Sequence, residues 1–385
     1  MRVVIVGAGM IGACTALALV RAGCEVEVLD RLQVGAGTTS RGEGNVLVSD
    51  KGPGPELDLA LVSRRLWGDL ALEIGADALE FEAKGGVVVT PDTASLPALR
   101  EFADGQAAAG VDARTVDDVH ELEPHLAPEL DVGIWYPQDA QVQPVLAAHA
   151  ILRRACALGA RYRPGTTVVG ALQCGGRLTG VRTDTGDVAA DAVVNAAGTW
   201  GGAVSESLGA PVPVLPRRGF VLVTEPLPLW VRHKVYTADY VTNVAASTEG
   251  LETSCVVEST RGGTILIGAS RERVGYDTTM LPSTPARLAA QAVSLFPRLA
   301  DASLLRVYRG FRPYCPDHLP VIGPDDRMPG LVHACGHEGA GIGLAPATAE
   351  LVAAHLLGGD VDAAAGGDAA AFLPGRFATD TAKET

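Results

Sequence analysis

Three glycines near the start of the chain have the spacing G-x-G-x-x-G: they are Gly7, Gly9 and Gly12 in the stretch GAGMIG. In this pattern the first glycine allows a tight turn, the second lets the backbone approach a pyrophosphate, and the third allows close packing of a helix on a strand. Asp30 follows at about the 20-residue distance from which an acid can accept hydrogen bonds from a ribose. These residues predict the binding of a dinucleotide.

The elements that must position these glycines are also visible in the sequence. Met1–Val6 is a short run of valine and isoleucine that predicts a buried parallel strand, and the apolar spacing from Met10 to Ala22 predicts a helix. A second strand, Glu25–Leu29, follows. A helix that begins directly after the glycines points free backbone N–H groups at an anion. A tight turn without a ligand is the alternative, and the strands and the helix around the glycines argue against it.

Other glycine-rich stretches could hold further parts of the same ligand. Residues 31–45 combine glycines, hydroxyl groups and two arginines, which predicts a loop around a second phosphate region and a ring system; a flexible surface loop is the alternative. The strand Leu331–Cys335 leads into the turn Gly336–Gly343 and a helix over Ala345–Leu357, so it repeats the opening arrangement. The small residues Ala197-Gly198, after a buried strand, allow a cofactor to approach the backbone closely.

Composition limits the class of protein. With 385 residues the chain exceeds the usual size of one domain, and residues 211–309, rich in strand patterns, predict a mostly β second domain. Acidic residues outnumber basic ones by 45 to 31, and no stretch concentrates Lys or Arg with aromatic residues, so the sequence predicts a small-molecule partner and no nucleic acid.

The sequence also bears on location and redox state. No stretch offers the roughly eighteen uninterrupted apolar residues of a membrane span, and a strand that begins at residue 2 leaves no room for a signal peptide. We therefore expect no membrane span and a cytoplasmic protein. The seven cysteines stand singly, without metal-ligand spacing, which predicts free thiols and no metal site.

Five segments together resemble the D-amino-acid oxidase-type family of FAD-dependent oxidoreductases: GAGMIG, VVNAAGTW, IGASRE, GFRPYCPDHLPVIG and GHEGAGIGLAPATAELVA. The resemblance covers most of the chain, in the family's order. It is most similar to the branch of glycine and sarcosine oxidases, hydrogen cyanide synthase flavin subunits, and opine or hydroxyproline dehydrogenase flavin subunits. The long C-terminal glycine motif favours the last group.

The resemblance implies an α/β fold in which a Rossmann-like, glutathione-reductase-type FAD-binding domain is discontinuous. That domain would comprise residues 1–80, 140–205 and 310–375, and a mostly β substrate domain would comprise 81–139 and 206–309. FAD would be bound non-covalently, because the cysteine that tethers flavin in sarcosine oxidases falls at Gly310. The residues that would contact FAD are Gly7, Gly9, Met10, Ile11, Gly12, Asp30, Arg31, Thr38, Thr39, Ser40, Gly44, Asn45, Val46, Val168, Ala197, Gly198, Trp200, His337, Glu338, Gly339, Ala340, Gly341, Ile342 and Gly343.

For the substrate, the resemblance implies that Arg312 holds a carboxylate, since a guanidinium suits a bidentate carboxylate pair. An interdomain salt bridge is the alternative role. Tyr240 and His337 are further candidate catalytic residues. Glycine oxidases carry an arginine in the loop occupied here by residues 338–340, which argues against glycine oxidation in their manner. The sequence identifies no necessary general base, and it leaves open the candidates His233, Tyr236, Tyr240 and Glu258.

The implied reaction is oxidation of the Cα–N bond of an amino acid or secondary amine, by hydride transfer to flavin N5, giving an imine that water hydrolyses. O2 could accept the electrons. Alternatively the chain is the flavin subunit of a hetero-oligomeric amino-acid or opine dehydrogenase that passes electrons to a partner redox subunit, or an FAD protein without turnover. The particular amine, its stereochemistry, the electron acceptor and a homo- or hetero-oligomeric state stay open.

Overall fold

The first sheet is built around the N-terminal strand, whose last four residues are almost completely buried. The structure, a computed structural model, describes residues 1–90, 92–239 and 249–377. All neighbouring strands of this sheet are parallel except for the antiparallel pair at one edge, β18 and β19. In spatial order the strands are β18 (Val321–Pro324), β19 (Leu331–Cys335), β12 (Ala192–Asn195), β1 (Arg2–Val6), β2 (Glu25–Asp30) and β8 (Arg161–Pro164).

Both faces of this sheet are covered, as the continuous apolar strands require. On one face α1 packs against α5 and α8, and α2 packs against α8. The helices of this region are α1 (Met10–Arg21), α2 (Pro55–Leu70), α3 (Ala76–Leu79), α5 (Pro144–Ala157), α6 (Gly201–Ser207), α8 (Gly341–Leu357) and α9 (Val361–Ala365). On the other face lies a three-stranded antiparallel sheet, formed by β9 (Val168–Cys174), β10 (Arg177–Thr183) and β11 (Gly186–Ala189).

Among the described residues the second sheet has eight strands, and neighbouring strands are antiparallel except where Lys234–Thr237 pairs with Gly86–Val89. In spatial order they are β17 (Leu304–Tyr314), β13 (Leu215–Pro226), β16 (Thr264–Arg271), β15 (Glu252–Ser259), β14 (Lys234–Thr237), β4 (Gly86–Val89), β6 (Gly133–Tyr136) and β5 (Arg114–Val116). The helix α7 (Ser283–Leu295) packs on three of these strands and α4 (Leu96–Ala108) lies beside β6. Two short strands, β3 (Asn45–Val46) and β7 (Ala140–Gln141), pair antiparallel as a separate small sheet. In the sequence, each of them lies between a strand of the first sheet and a strand of the second.

The predicted fold class is confirmed, since a mostly parallel sheet with helices stands beside a mostly β sheet. The domain boundaries stay a prediction, and β17 runs without a break across the proposed boundary between residues 309 and 310. One helix start was wrong: α8 begins at Gly341 and not at Ala345. The low helix propensity of glycine suggested a later start. In the fold, however, a Cβ at Gly343 would lie only 3.2 Å from the Asn45 carbonyl oxygen, so close packing decides this turn.

Within the described ranges, no helix is long and apolar enough to cross a bilayer. The seven cysteines are all free thiols, and five of them are buried. No group of three or more potential metal-ligating side chains comes together among the residues that the structure describes.

Candidate functional site

A cleft runs past the carboxyl ends of β1, β2, β12 and β19 and over the near face of β13 and β17. In open parallel sheets, ligands bind at this end of the strands. The cleft is lined by nearly all of the residues predicted to contact the cofactor. The predicted residues that do not line it are Gly12, Ser40, Val46, Ala340 and Gly343.

The first glycine turn lines part of the cleft. Gly7 has a φ of +114°, which only glycine adopts readily, and a Cβ on Gly12 would overlap the carbonyl oxygen of Gly7. Gly12 therefore serves the close packing of α1 on β1 and not the cleft surface. Gly9 caps α1 without a side-chain hydrogen bond, and the first turn of the helix contains no acid. The start of this helix is thus suited to an anion.

Asp30 ends β2 beside this turn. Its two carboxylate oxygens accept hydrogen bonds from the backbone N–H groups of Ala8 at 2.7 Å and Leu32 at 2.8 Å. Each oxygen keeps lone pairs that a ribose hydroxyl could use. Arg31 lies next in the chain, with its guanidinium carbon 4.2 Å from the centre of the Trp200 ring.

The loop after residue 37 lies along the middle of the cleft. Thr39 Oγ1 accepts a hydrogen bond of 3.0 Å from the N–H of Met10, which ties the loop to the start of α1. The Thr38 hydroxyl lies 2.9 Å from that of Thr199. Two predicted contact residues have structural roles here. Ser40 Oγ donates to a carbonyl of its own turn at 3.1 Å, and the Val46 side chain is buried in the apolar core.

The C-terminal glycine turn lines another part of the cleft. His337 is 3% exposed, and its Nε2 lies 3.0 Å from Thr348 Oγ1. Burial lowers the pKa of His337 to about 3, so the ring is neutral at ordinary pH. Glu338 has a φ of +44°, and its carboxylate lies 3.3 Å from Arg217 Nη1 and 2.9 Å from His318 Nδ1. Ala340 caps α8 without a side-chain hydrogen bond, so this helix start is also available to an electron-rich group.

Arg312 lies on β17, and its side chain lines the cleft next to Gly339. Its Nη1 donates a 2.9 Å hydrogen bond to the carbonyl of Ser270 on β16. A Cβ on Gly219, in the strand between these two, would overlap the guanidinium. A glycine in the interior of a strand thus makes room for the charged group that we predicted to bind a carboxylate.

Sequence reasoning missed two charged residues of the cleft, Arg41 and Glu43. Each lies against a glycine of the second sheet: a Cβ on Gly310 would overlap Arg41, and a Cβ on Gly268 would overlap the carboxylate of Glu43. A glycine inside a strand often marks a place where another group packs closely on the backbone. Gly268 and Gly310 are therefore the sequence features that could have indicated these two contacts.

Of the candidate general bases, Tyr240 lies outside the described residues. His233, Tyr236 and Glu258 are described, and none of the three lines the cleft. Each contacts another polar side chain: His233 Nδ1 lies 3.0 Å from Glu123 Oε1, the Tyr236 hydroxyl donates to Ser49 Oγ, and Glu258 Oε2 lies 3.2 Å from Lys234 Nζ.

Comparisons with known proteins point to the same ligand. The model of the family described as DAO, FAD dependent oxidoreductase, matches residues 2–355. The chain is 30% identical to a glycine oxidase of Pseudomonas putida, over 93% of this chain and 95% of that protein. It is also 30% identical to a bifunctional protein ThiO/ThiG of Nostoc, over 91% of this chain, and it spans about half, 52%, of that longer relative.

A solved structure has the same fold. The glycine oxidase of Geobacillus kaustophilus superposes with a TM-score of 0.85 at 26% identity, covering 97% of this chain and 98% of that one.

The residues present fit the family's cofactor. Both helix starts line one cleft and neither cap residue makes a side-chain hydrogen bond, Asp30 lies beside the first, and at Gly9 a Cβ would already lie 3.2 Å from Thr39 Oγ1. The glycine turn therefore forms a cradle that a side chain would fill. The chain belongs to the DAO family of FAD-dependent oxidoreductases, and its cofactor is FAD.

Proposed function

We propose that the protein oxidises the Cα–N bond of an amino acid or secondary amine. The observation that carries the proposal is that Arg312 and the two glycine turns line the same cleft. A guanidinium beside the cofactor site can hold a substrate carboxylate through two parallel hydrogen bonds. The amine chemistry of the glycine oxidase relatives supports the same assignment.

In the proposed reaction the bound FAD supplies the two-electron acceptor. Arg312 holds the carboxylate and thereby keeps the Cα–N bond in one orientation. The entropy cost of orienting the substrate is therefore taken up in the binding step and not in the chemical step. The glycine turns, β13 and β17 form the walls of the cleft around the substrate. The product is an imine that hydrolyses in water.

The neutral state of His337 restricts its role. With a pKa of about 3 the ring carries no proton to give up near pH 7, so we assign it to positioning the turn through its contact with Thr348. The sequence named His337 as a candidate catalytic residue without assigning it a step, and we propose this positioning role for it. The identity of a general base is left open, with Tyr240 as one candidate.

Non-covalent attachment of FAD is part of the proposal. The position predicted to match the tethering cysteine is Gly310, which lines the cleft. The nearest cysteine in sequence, Cys315, is completely buried with Val212, Val214, Val321 and Cys335, and it does not line the cleft. Burial raises the pKa of the Cys315 thiol, which disfavours the reactive thiolate.

Anaerobic bleaching of the flavin tests the function. Glycine, sarcosine, proline, D-amino acids and opines are mixed with the purified yellow protein, and the rate of bleaching is followed. We expect at least one of them to bleach it, and Arg312→Met to lower kcat/KM for bleaching by roughly 30- to several-thousand-fold, from a loss of about 2–5 kcal/mol.

The matched control is Arg309→Met, which removes an exposed guanidinium three residues away on the same strand. Full activity of Arg312→Met at low substrate concentration would overturn the carboxylate assignment. Measurement of hydrogen peroxide in air then distinguishes an oxidase from a subunit that needs a partner acceptor.

A further inference from the structure

We propose that Glu43 binds the positively charged nitrogen of the substrate, so that the site selects amines in their protonated form; the nitrogen would then give one proton to the Glu43 carboxylate before its Cα transfers a hydride. The inference rests on the proposed function, because it assigns the second recognition group of the same cleft. Arg312 would hold the carboxylate and Glu43 the ammonium group of one zwitterionic substrate.

The first observation is that Glu43 is buried without full hydrogen bonding. Its side chain is 6% exposed, yet it lines the cleft. In the described part of the chain its Oε1 accepts no hydrogen bond, and its Oε2 has only a long contact of 3.4 Å with Asn45 Nδ2. A buried carboxylate costs free energy unless donors reach it. A ligand with N–H donors in the cleft would supply them.

The second observation concerns the spacing between Glu43 and Arg312. The Glu43 carboxylate lies over Gly268 of β16, and the Arg312 guanidinium donates to the carbonyl of Ser270, two residues further along the same strand. Two residues of a strand span at most about 7 Å. One small zwitterion with a contact at each end can bridge that distance.

The third observation is a local excess of negative charge. Beside Glu43, the buried Lys234 pairs with Glu258 at 3.2 Å and donates to the Asn45 side chain. Lys234 forms its ion pair with Glu258, and the other lysine of this region, Lys84, forms one with Glu82 at 3.8 Å, so each of these cations already has a carboxylate partner and Glu43 adds a further negative charge. Arg41 is exposed, and no ion pair joins it to Glu43 in the described structure. An ammonium group next to Glu43 would balance the charge.

The same charges affect the pKa of the nearby Tyr308. Burial, and then the charges of Glu43 and Glu258, raise the pKa of its hydroxyl, while Arg306 and Arg41 act in the opposite direction. Burial is the largest cause of this rise, and the two carboxylates add to it.

The test compares ligands that have the same shape but differ in charge. Glycine, sarcosine and proline are matched with propanoate, butanoate and cyclopentanecarboxylate, in which carbon replaces the nitrogen. For the best bleaching substrate, we measure its dissociation constant from anaerobic bleaching and the inhibition constant of its carbon analogue, in the holoenzyme and in Glu43→Gln.

We expect the wild type to bind the amino acid at least about 10-fold more tightly than the carbon analogue, and Glu43→Gln to lose most of this preference. The loss should come from weaker binding of the amino acid, with the analogue bound as well as before or better. Glu82→Gln is the control, since Glu82 does not line the cleft and should keep the preference.

Three results would overturn the inference: a wild type without preference, a Glu43→Gln that keeps it, or loss of FAD from both Glu43→Gln and Glu43→Asp. The last would show that the carboxylate serves the cofactor. If Glu43→Gln loses FAD and Glu43→Asp keeps it, the binding test is made with Glu43→Asp. The inference then requires that this variant binds the amino acid more weakly and the carbon analogue as well as the wild type does. A panel in which no amine bleaches the flavin would instead refute the proposed function, so the two failures are distinct.

Discussion

The two glycine turns of the cleft have the same strand–turn–helix plan but depend on different neighbours. In the first turn, a Cβ on Gly12 would overlap the carbonyl oxygen of Gly7 within the same turn, and a Cβ on Gly7 would overlap the carbonyl of Ala196, just after the neighbouring strand β12. In the second turn, the contacts come from distant parts of the chain. Glu338 meets Arg217 and His318, and Gly343 packs on Asn45.

This difference has a consequence for charge. The first turn presents backbone N–H groups and one carboxylate, that of Asp30; its cap residue Gly9 makes no side-chain hydrogen bond, and Thr39 Oγ1 accepts the N–H of Met10. The second turn carries a neutral buried histidine and a glutamate held by a buried arginine, with Arg312 beside it. The first is therefore a rigid cradle, whereas the second joins the cofactor region to the predicted substrate region.

The largest effect that we predict tests the cradle. Gly9→Val should give a folded protein that is colourless, because the added branch would occupy the space of the pyrophosphate. Gly9 has a φ of −77° and a ψ of −171°, which a valine adopts without strain, so the chain should still fold. The absorbance of the purified protein near the flavin band and its melting temperature are the measurements.

The control for this variant is Gly68→Val, which adds the same side chain within α2, where a Cβ at this position meets only the end of the Arg64 side chain at 4.0 Å. It should keep the colour. A fully yellow Gly9→Val protein would show that the cofactor does not lie on the first turn, and the comparison of the two turns would then fail.

The second prediction concerns the buried histidine of the other turn. The pKa of His337 in the folded protein, about 3, lies below the ordinary value of 6.5. Between these two pH values the unfolded chain therefore binds a proton at this residue and the folded chain does not. Stability from this group is present above pH 6.5 and is lost as the pH falls towards 3. Between pH 7 and 4.5 the loss is about 2–3 kcal/mol.

Urea unfolding of wild type and His337→Gln at pH 7 and pH 4.5 measures this contribution. The variant has no proton to take up at this position, so its stability should fall less on acidification than that of the wild type. The difference of the two differences cancels all other titrating groups. An equal fall in both proteins would mean that protonation of His337 does not destabilise the fold.

The contrast between the two glycine turns also explains which site residues the sequence could predict. Gly7, Gly9, Gly12 and Asp30 lie within one strand–helix–strand unit, so their spacing alone locates them. The cleft position of Glu43 depends on Gly268, more than two hundred residues later in the chain, and local spacing cannot show that contact. The start of α8 was misplaced for the same reason, because its first turn is shaped by packing on residues around Asn45.

The smallest effect that we predict concerns Asp30, the one carboxylate of the first turn. Asp30→Asn keeps the shape and can still accept from the buried Ala8 N–H, while its amide faces the exposed Leu32. The protein should therefore keep its stability, but a hydrogen bond from a ribose hydroxyl to a charged acceptor would be weakened. We expect FAD to bind about 10-fold more weakly, a loss of roughly 1.4 kcal/mol, in a fluorescence titration of the apoprotein. Asp118→Asn, which changes a carboxylate that accepts the N–H of His120 away from the cleft, should leave FAD affinity unchanged. A loss far above 10-fold would mean that the carboxylate, and not the backbone cradle, dominates cofactor binding at the first turn, whereas an unchanged affinity would restrict Asp30 to holding the turn through Ala8.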